Sequence, residues 1–336
     1  MANAQNENKQ AVNWKPVIKF IIKILISGFA LWWVYYCLQD IDWQASLKSI
    51  SSISLTKLSL CFICTILLYL SRILRLRYWL SQLSNNCLSL KELTELYLKS
   101  VALGSITPGR IGDFSRIALL EKTGLTIKVR SKIILFDKLI DSIYILLGIC
   151  LTSAIVGEKL GIPVYSLFWF GAGSLIISLI IMFWLSSIWF KNVFKVKNLL
   201  LGYCLTLIGF ILYVLSNSFL FWSIGIDLTF LDVMAIVLSV GVIASLPISI
   251  GGIGIREGSL MSFLKTWHVN ALLIPHVLLL EFVLNIMFPI ILYFFWVMMH
   301  HLASFFNSTI IKKDHPGKAK NLFKNRWSKT TFEGKK

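Results

Sequence analysis

Two short stretches of this sequence gather charge and glycine inside otherwise apolar surroundings. Pro108-Gly109-Arg110-Ile111-Gly112-Asp113 reads as a turn followed by a helix N-terminus. Such an end exposes backbone N–H groups and the positive pole of the helix dipole, and both attract anions. Arg110 and Arg116 add donors suited to a phosphate, while Gly109 and Gly112 allow close approach to the backbone. The same logic applies from Leu246 to Glu257, where Gly251, Gly252 and Gly254 precede an Arg256–Glu257 charge pair. Gly251-x-x-Gly254 is not a nucleotide loop, since no Gly-Lys-Ser/Thr follows and no strand precedes it. The competing reading is structural: each arginine pairs with its neighbouring carboxylate and only holds its loop.

Further ionisable residues stand in apolar runs. Asp137 and Asp141 are four apart, so they share one helix face. Lys138 lies about 100° around the same helix. Two carboxylates in a poorly hydrated site could exchange protons. They could equally pair with Arg110, Arg116 or Arg256 and tie hairpin to helix. Glu281 and Asn285 repeat the four-residue spacing and put a polar stripe on one face of the last span, for which interhelical hydrogen bonding is the structural reading. No Ser/His/Asp set or zinc spacing appears, and the sequence calls for no metal or cofactor.

The elements that must position these residues are membrane spans. The 336-residue chain is 57% hydrophobic and 15% charged, with a mean hydropathy of +0.76. A soluble domain keeps about a quarter of its residues charged. Apolar runs of roughly 18 or more residues, the length that crosses a ~30 Å hydrocarbon core, place the chain in the membrane class. The predicted fold is an all-α polytopic helix bundle of about six full spans plus two re-entrant helical hairpins. Spans are expected at about Val17–Leu38, Leu55–Leu76, Ile133–Val156, Val164–Leu185, Leu199–Trp222 and Pro275–Met298. Two stretches, Leu93–Leu120 and Val233–Phe263, are interrupted by glycine and proline, leaving arms of about 12–15 residues that suit half-helices. Irregular backbone at membrane depth persists only where protein or a watery cavity covers it.

Residues 1–14 read as a disordered cytoplasmic N-terminus, 15–303 as the transmembrane domain and 304–336 as a basic cytoplasmic tail. The net charge of +17 lacks any aromatic-interleaved basic module, which argues against nucleic acid. It reports topology instead. With the N-terminus cytoplasmic and both hairpins returning to their starting side, 26 of the 33 lysines and arginines are cytoplasmic. That count assigns Arg72, Arg75 and Arg77, in which the Leu55–Leu76 span ends, to the cytoplasmic side. It makes the first hairpin enter from the cytoplasm and the second from outside, as an inverted repeat would. The six cysteines read as buried apolar thiols, including the Cys61-x-x-Cys64 pair.

Three elements together resemble one family. Pro108-Gly109-Arg110-Ile111-Gly112-Asp113-Phe114-Ser115-Arg116 is similar to the PGRxGE…R element of the lysylphosphatidylglycerol synthase transmembrane region, or flippase-like domain. Asp137-Lys138-Leu139-Ile140-Asp141 resembles its ER…D element, and Pro247 through Glu257 its P…GGxGxRE element. Asp113 stands where glutamate is usual, and Phe136-Asp137-Lys138 replaces the more typical glutamate-arginine. The soluble aminoacyl-transferase domain of the full synthases is not seen, so the resemblance implies the lipid-translocating half and no lysyl-transfer chemistry. It implies a cell-membrane protein acting on a phospholipid, a polyprenyl lipid or a glycolipid, with a glycosyltransferase as a candidate partner. Arg110, Arg116 and Arg256 would engage the headgroup, with Asp113, Asp137, Asp141 and Glu257 as counter-charges. A membrane enzyme that modifies a lipid, or a non-catalytic subunit of a surface-polymer pathway, are the alternatives.

Overall fold

Long apolar runs with few helix breakers become long helices, because only intrasegment hydrogen bonding satisfies the backbone in lipid. The computed structural model describes residues 53–83, 88–161, 163–189, 196–245 and 254–314, together with positions 32, 35 and 44. Every regular element among them is helical: α1 Leu55–Leu83, α2 Leu90–Ile106, α3 Ile127–Leu160, α4 Val164–Trp189, α5 Val196–Ser223, α6 Phe230–Ser245, α7 Ile255–Thr266, α8 Ile274–Phe282 and α9 Phe288–Asp314. Four stretches are long and apolar enough to cross a membrane: Leu55–Leu83, Ile127–Leu160, Leu201–Ser223 and Ala271–His300. The protein is an all-α membrane helix bundle. The expected first span, the N-terminal segment, residues 246–253 and the tail beyond Asp314 lie outside the described residues.

Three expectations need correction. The helix predicted to stop at Leu76 continues to Leu83, so Arg72 and Arg75, counted as cytoplasmic charges at its end, lie about two to three turns inside it. The first broken stretch has only one α-helical arm. Its return arm runs as a 3-10 helix over Pro108–Ser115, a single α-turn over Arg116–Leu119 and a second 3-10 turn over Leu120–Thr123. Pro108 has no N–H to give, and Arg110 takes a left-handed φ of +54°, so α-helical bonding cannot propagate. The last predicted span is interrupted by a π-turn at Val283–Met287.

α2 and α6 are 17 and 16 residues long, about 25 Å each and short of a full crossing. α2 begins with a capping box: Glu92 N–H donates to Ser89 Oγ, and Ser89 N–H donates to the Glu92 carboxylate. A reciprocal pair between Thr229 and Asp232 starts α6, and Trp267 Nε1 at the end of α7 donates to Asp232 Oδ1 at 2.9 Å. That bond ties the two arms of the second broken stretch at their outer ends.

Among the described residues the apolar interior forms two large cores, with a small third cluster of Val214, Met234 and Leu238 between α5 and α6. One large core joins α1, α2 and α3 around Trp79, Tyr97 and Phe136; the other joins α5 to α8 around Phe221, Ile236 and Leu264. α1 and α5 link them along an antiparallel seam of small residues at seven-residue spacing. Gly202 faces Trp79, Gly209 faces Ser71, and Ser216 Oγ lies 2.7 Å from Thr65 Oγ1. Within lipid there is no hydrophobic drive for helices to associate, so close backbone approach at small residues carries the contact. α4 turns Trp169, Ile180 and Trp184 outward, as a lipid-facing helix should. A Cβ on Gly202 would overlap the Trp79 ring, whereas one on Gly173 meets open space. Gly202→Leu is therefore expected to cost about 1–3 kcal/mol, read as a lower melting temperature in detergent, with Gly173→Ala unchanged.

Candidate functional site

Of the charges expected to act together, Asp113, Arg116, Asp137, Lys138 and Asp141 converge on one buried network, whereas Arg256, Glu257 and Glu281 form a separate group. Arg75, 1% exposed, donates from Nε to Asp137 Oδ1 at 2.7 Å and from Nη1 to Asp141 Oδ1 at 2.6 Å. The same Nη1 donates to Thr206 Oγ1 at 2.8 Å. Three helices, α1, α3 and α5, thus meet at one guanidinium. On the other side of Asp137, Arg116 Nη1 approaches Oδ2 at 3.6 Å. Arg116 also donates from Nε to the Asp113 carbonyl at 3.2 Å and lies over the Tyr97 ring, 4.6 Å from its centre. Asp113 in turn accepts from Lys138 Nζ and lies 4.0 Å from Arg110 Nε. A continuous chain of alternating charge therefore runs Arg75–Asp137–Arg116–Asp113–Lys138.

The return arm is shaped to deliver Asp113 into this chain. Thr107 Oγ1 accepts the Gly112 N–H at 2.7 Å and donates to the Leu103 carbonyl, closing the turn. A Cβ on Gly112 would overlap the Leu103 carbonyl, and one on Gly104 would strike the Asp113 carboxylate. Gly112 thus serves helix-to-arm contact in addition to any ligand approach. Arg110 has a left-handed φ of +54°, which costs a non-glycine residue about 1–2 kcal/mol. Its side chain is 43% exposed. Strain held at a cation facing a cavity fits a functional position.

At the second break, Gly254 has a φ of +82° and its N–H donates to Glu257 Oε2 at 2.6 Å, capping α7. Glu257 is buried, and its Oε1 has no hydrogen-bond partner among the described residues. Glu281 is buried and accepts from the Asn285 amide across the π-turn, with Arg256 within electrostatic reach. Gly109 lies in the 3-10 arm. Gly251 and Gly252 fall outside the described residues.

A cavity of about 360 Å³ opens against this network. Both broken stretches wall it, the first through Arg110, Asp113 and Phe114, the second through Gly241, Ala244 and Arg256. Lys138 and Asp141 of the third motif also face it, whereas Arg116, Asp137, Glu257 and Glu281 stand behind the described wall. Five cations line it, Arg72, Arg75, Arg110, Lys138 and Arg256, against the two carboxylates of Asp113 and Asp141. Hydroxyl and amide groups of Thr65, Thr206, Ser216, Asn217 and Asn285 complete the polar wall. Among the described residues no cluster of His, Cys, Asp and Glu could hold a metal.

A profile for the lysylphosphatidylglycerol synthase TM region matches residues 20–293. The chain belongs to that family. The match spans all three motifs, both broken stretches and every residue of the charge network. The lysylphosphatidylglycerol synthase TM-region family places the chain among multi-pass membrane proteins in lipid-related processes. A comparison with curated proteins finds no match.

Arg72 and Arg75 are the site residues that sequence reasoning missed. Counted as cytoplasmic charges at the end of a span, they served the topology argument. Their three-residue spacing, which puts both on one face of α1, was the available signal. Removing one partner from a buried ion network leaves charge uncompensated and typically costs about 3–5 kcal/mol. Arg75→Leu is accordingly expected to lower the melting temperature strongly, and adding Asp141→Asn should recover part of the loss. Thermal unfolding of the two variants in detergent measures both effects.

Proposed function

We propose that this protein moves a phosphate-bearing lipid between the leaflets of the cell membrane, with both of its termini in the cytoplasm. The observation that carries the reading is the cavity: both interrupted stretches meet at it, and its wall holds more cations than carboxylates. Its volume of about 360 Å³ lies at the lower end of small-molecule sites and suits a headgroup without its acyl chains. Arg110 and Arg256 engage the phosphate from opposite hairpins. Arg116, Asp113, Asp137, Lys138 and Asp141 hold the first hairpin against α3, and Glu257 caps the helix that presents Arg256.

Two short arms that enter from opposite faces and share one headgroup seat suit alternating access. Moving either arm would open the seat to one leaflet at a time, driven by a lipid or ion gradient. Arg110→Gly separates this role from folding, because it removes the cation and relieves the left-handed φ together. In liposomes carrying a headgroup-labelled anionic phospholipid, Arg110→Gly is expected to slow crossing at least tenfold while its melting temperature stays level or rises. Crossing at the wild-type rate would remove Arg110 from the seat. A wild-type protein that moves no lipid would remove translocation itself.

A further inference from the structure

The cavity wall discriminates among headgroups in a way that the family's description does not suggest. Each carboxylate that faces the cavity is already ion-paired through one oxygen, and the remaining oxygen of Asp113, Oδ1, is buried. Asp141 accepts from Arg75 Nη1 at 2.6 Å. Asp113 is 2% exposed and takes Lys138, with Arg110 and Arg116 at 4.0 and 3.8 Å. Glu257 and Glu281 stand off the described wall, behind Arg256 and Asn285. An ammonium entering this space would therefore meet five cations and no uncommitted carboxylate.

One of those cations is poised differently. Arg72, half-buried on α1, lines the cavity and has no carboxylate oxygen within 4 Å among the described residues. Its partner Arg75, one turn further along, is saturated by Asp137 and Asp141. The carboxylate that acts on Arg72 is Asp141, which Arg75 already holds at 2.6 Å, so the two arginines keep a positive surplus in a low-dielectric wall and favour an incoming anion. The neutral side of the wall, with Thr65, Ser216, Asn217 and Asn285, offers donors and acceptors to hydroxyl groups and no charge.

We propose that the cavity selects an anionic phosphodiester headgroup that carries hydroxyls and no amine, with Arg72 as the residue that sets this preference. Phosphatidylglycerol has that chemistry, whereas its lysyl derivative, phosphatidylethanolamine and phosphatidylcholine each bring an ammonium. The proposal rests on the cavity being the headgroup seat proposed above.

The test is retention of lipids by the purified full-length protein, measured by native mass spectrometry from equimolar mixtures of those four lipids. Phosphatidylglycerol should be retained at least tenfold over each ammonium-bearing lipid. Excess inorganic phosphate should leave that ratio standing, which separates a lipid seat from a free-anion site. Arg72→Gln leaves no orphaned carboxylate behind and should flatten the preference. Arg72→Glu should shift it toward lysylphosphatidylglycerol. Equal or tighter retention of lysylphosphatidylglycerol by the wild type would overturn the proposal, as would an unaltered preference in Arg72→Glu. Leaflet crossing in liposomes keeps the two readings apart. Selective retention without crossing would sink translocation alone, whereas crossing of lysylphosphatidylglycerol at the rate of phosphatidylglycerol would sink the selectivity alone.

Discussion

The architecture around the cavity depends on one buried guanidinium. Transferring a charge out of water costs several kcal/mol even after the surroundings relax. Arg75 meets that cost with two aspartates one helical turn apart and a threonine hydroxyl. Because the three partners come from α3 and α5 while Arg75 belongs to α1, the pair bonds also set how these helices sit on one another. Asp137 then spends its second oxygen on Arg116, and Arg116 fixes the arm that carries Asp113 and Arg110. Shifting any helix of the trio would leave a charge without its counter-ion, so the trio behaves as a rigid frame. The arm is attached to it through Arg116 at 3.6 Å from Asp137, through the hydrogen bond from Lys138 to Asp113, and through Arg130, which donates to the Ile117 carbonyl at 2.8 Å.

The cations of the site divide into those paired within the frame and those that face the cavity. Arg75 is spent on structure, although it is as cationic as Arg110. Arg110 sits in a strained backbone conformation with a half-exposed side chain, and Arg72 has no carboxylate oxygen within 4 Å among the described residues. The two broken stretches differ in the same sense. The first is held by side-chain charge to α3. The second is closed locally by the Glu257 cap at one end and by Trp267 to Asp232 at the other. Both deliver an arginine to the same space by different means.

Much of this was legible in the residues themselves. Gly109, Gly112 and Pro108 announced an interruption because neither glycine nor proline sustains a helix, and the four-residue spacing of Asp137 and Asp141 announced a shared face. What could not be read was who pairs with whom. Asp137 had three arginines proposed as partners and took Arg116 together with one that was not considered. Arg75 escaped because a cation near the end of an apolar run looks like a topology signal until its distant counter-charges are seen. The 3-10 path of the return arm was hidden as well, since it follows from the Thr107 side chain and the φ of a non-glycine residue. The π-turn at Val283–Met287 leaves no compositional trace.

The glycine and serine seam between α1 and α5 has a mechanical consequence. A stripe that recurs every seven residues drifts by about 20° per repeat around a straight helix. Over the two repeats from Gly202 to Ser216 the drift reaches about 40°. The two helices can stay in contact along that stripe only by winding around each other with a left-handed twist. A pair so wound cannot slide like a piston; any travel of one along the other is a screw motion, in which advance and rotation are coupled. Rotation of α1 would swing Arg72 along the cavity wall, so small axial shifts would translate into lateral displacement of charge.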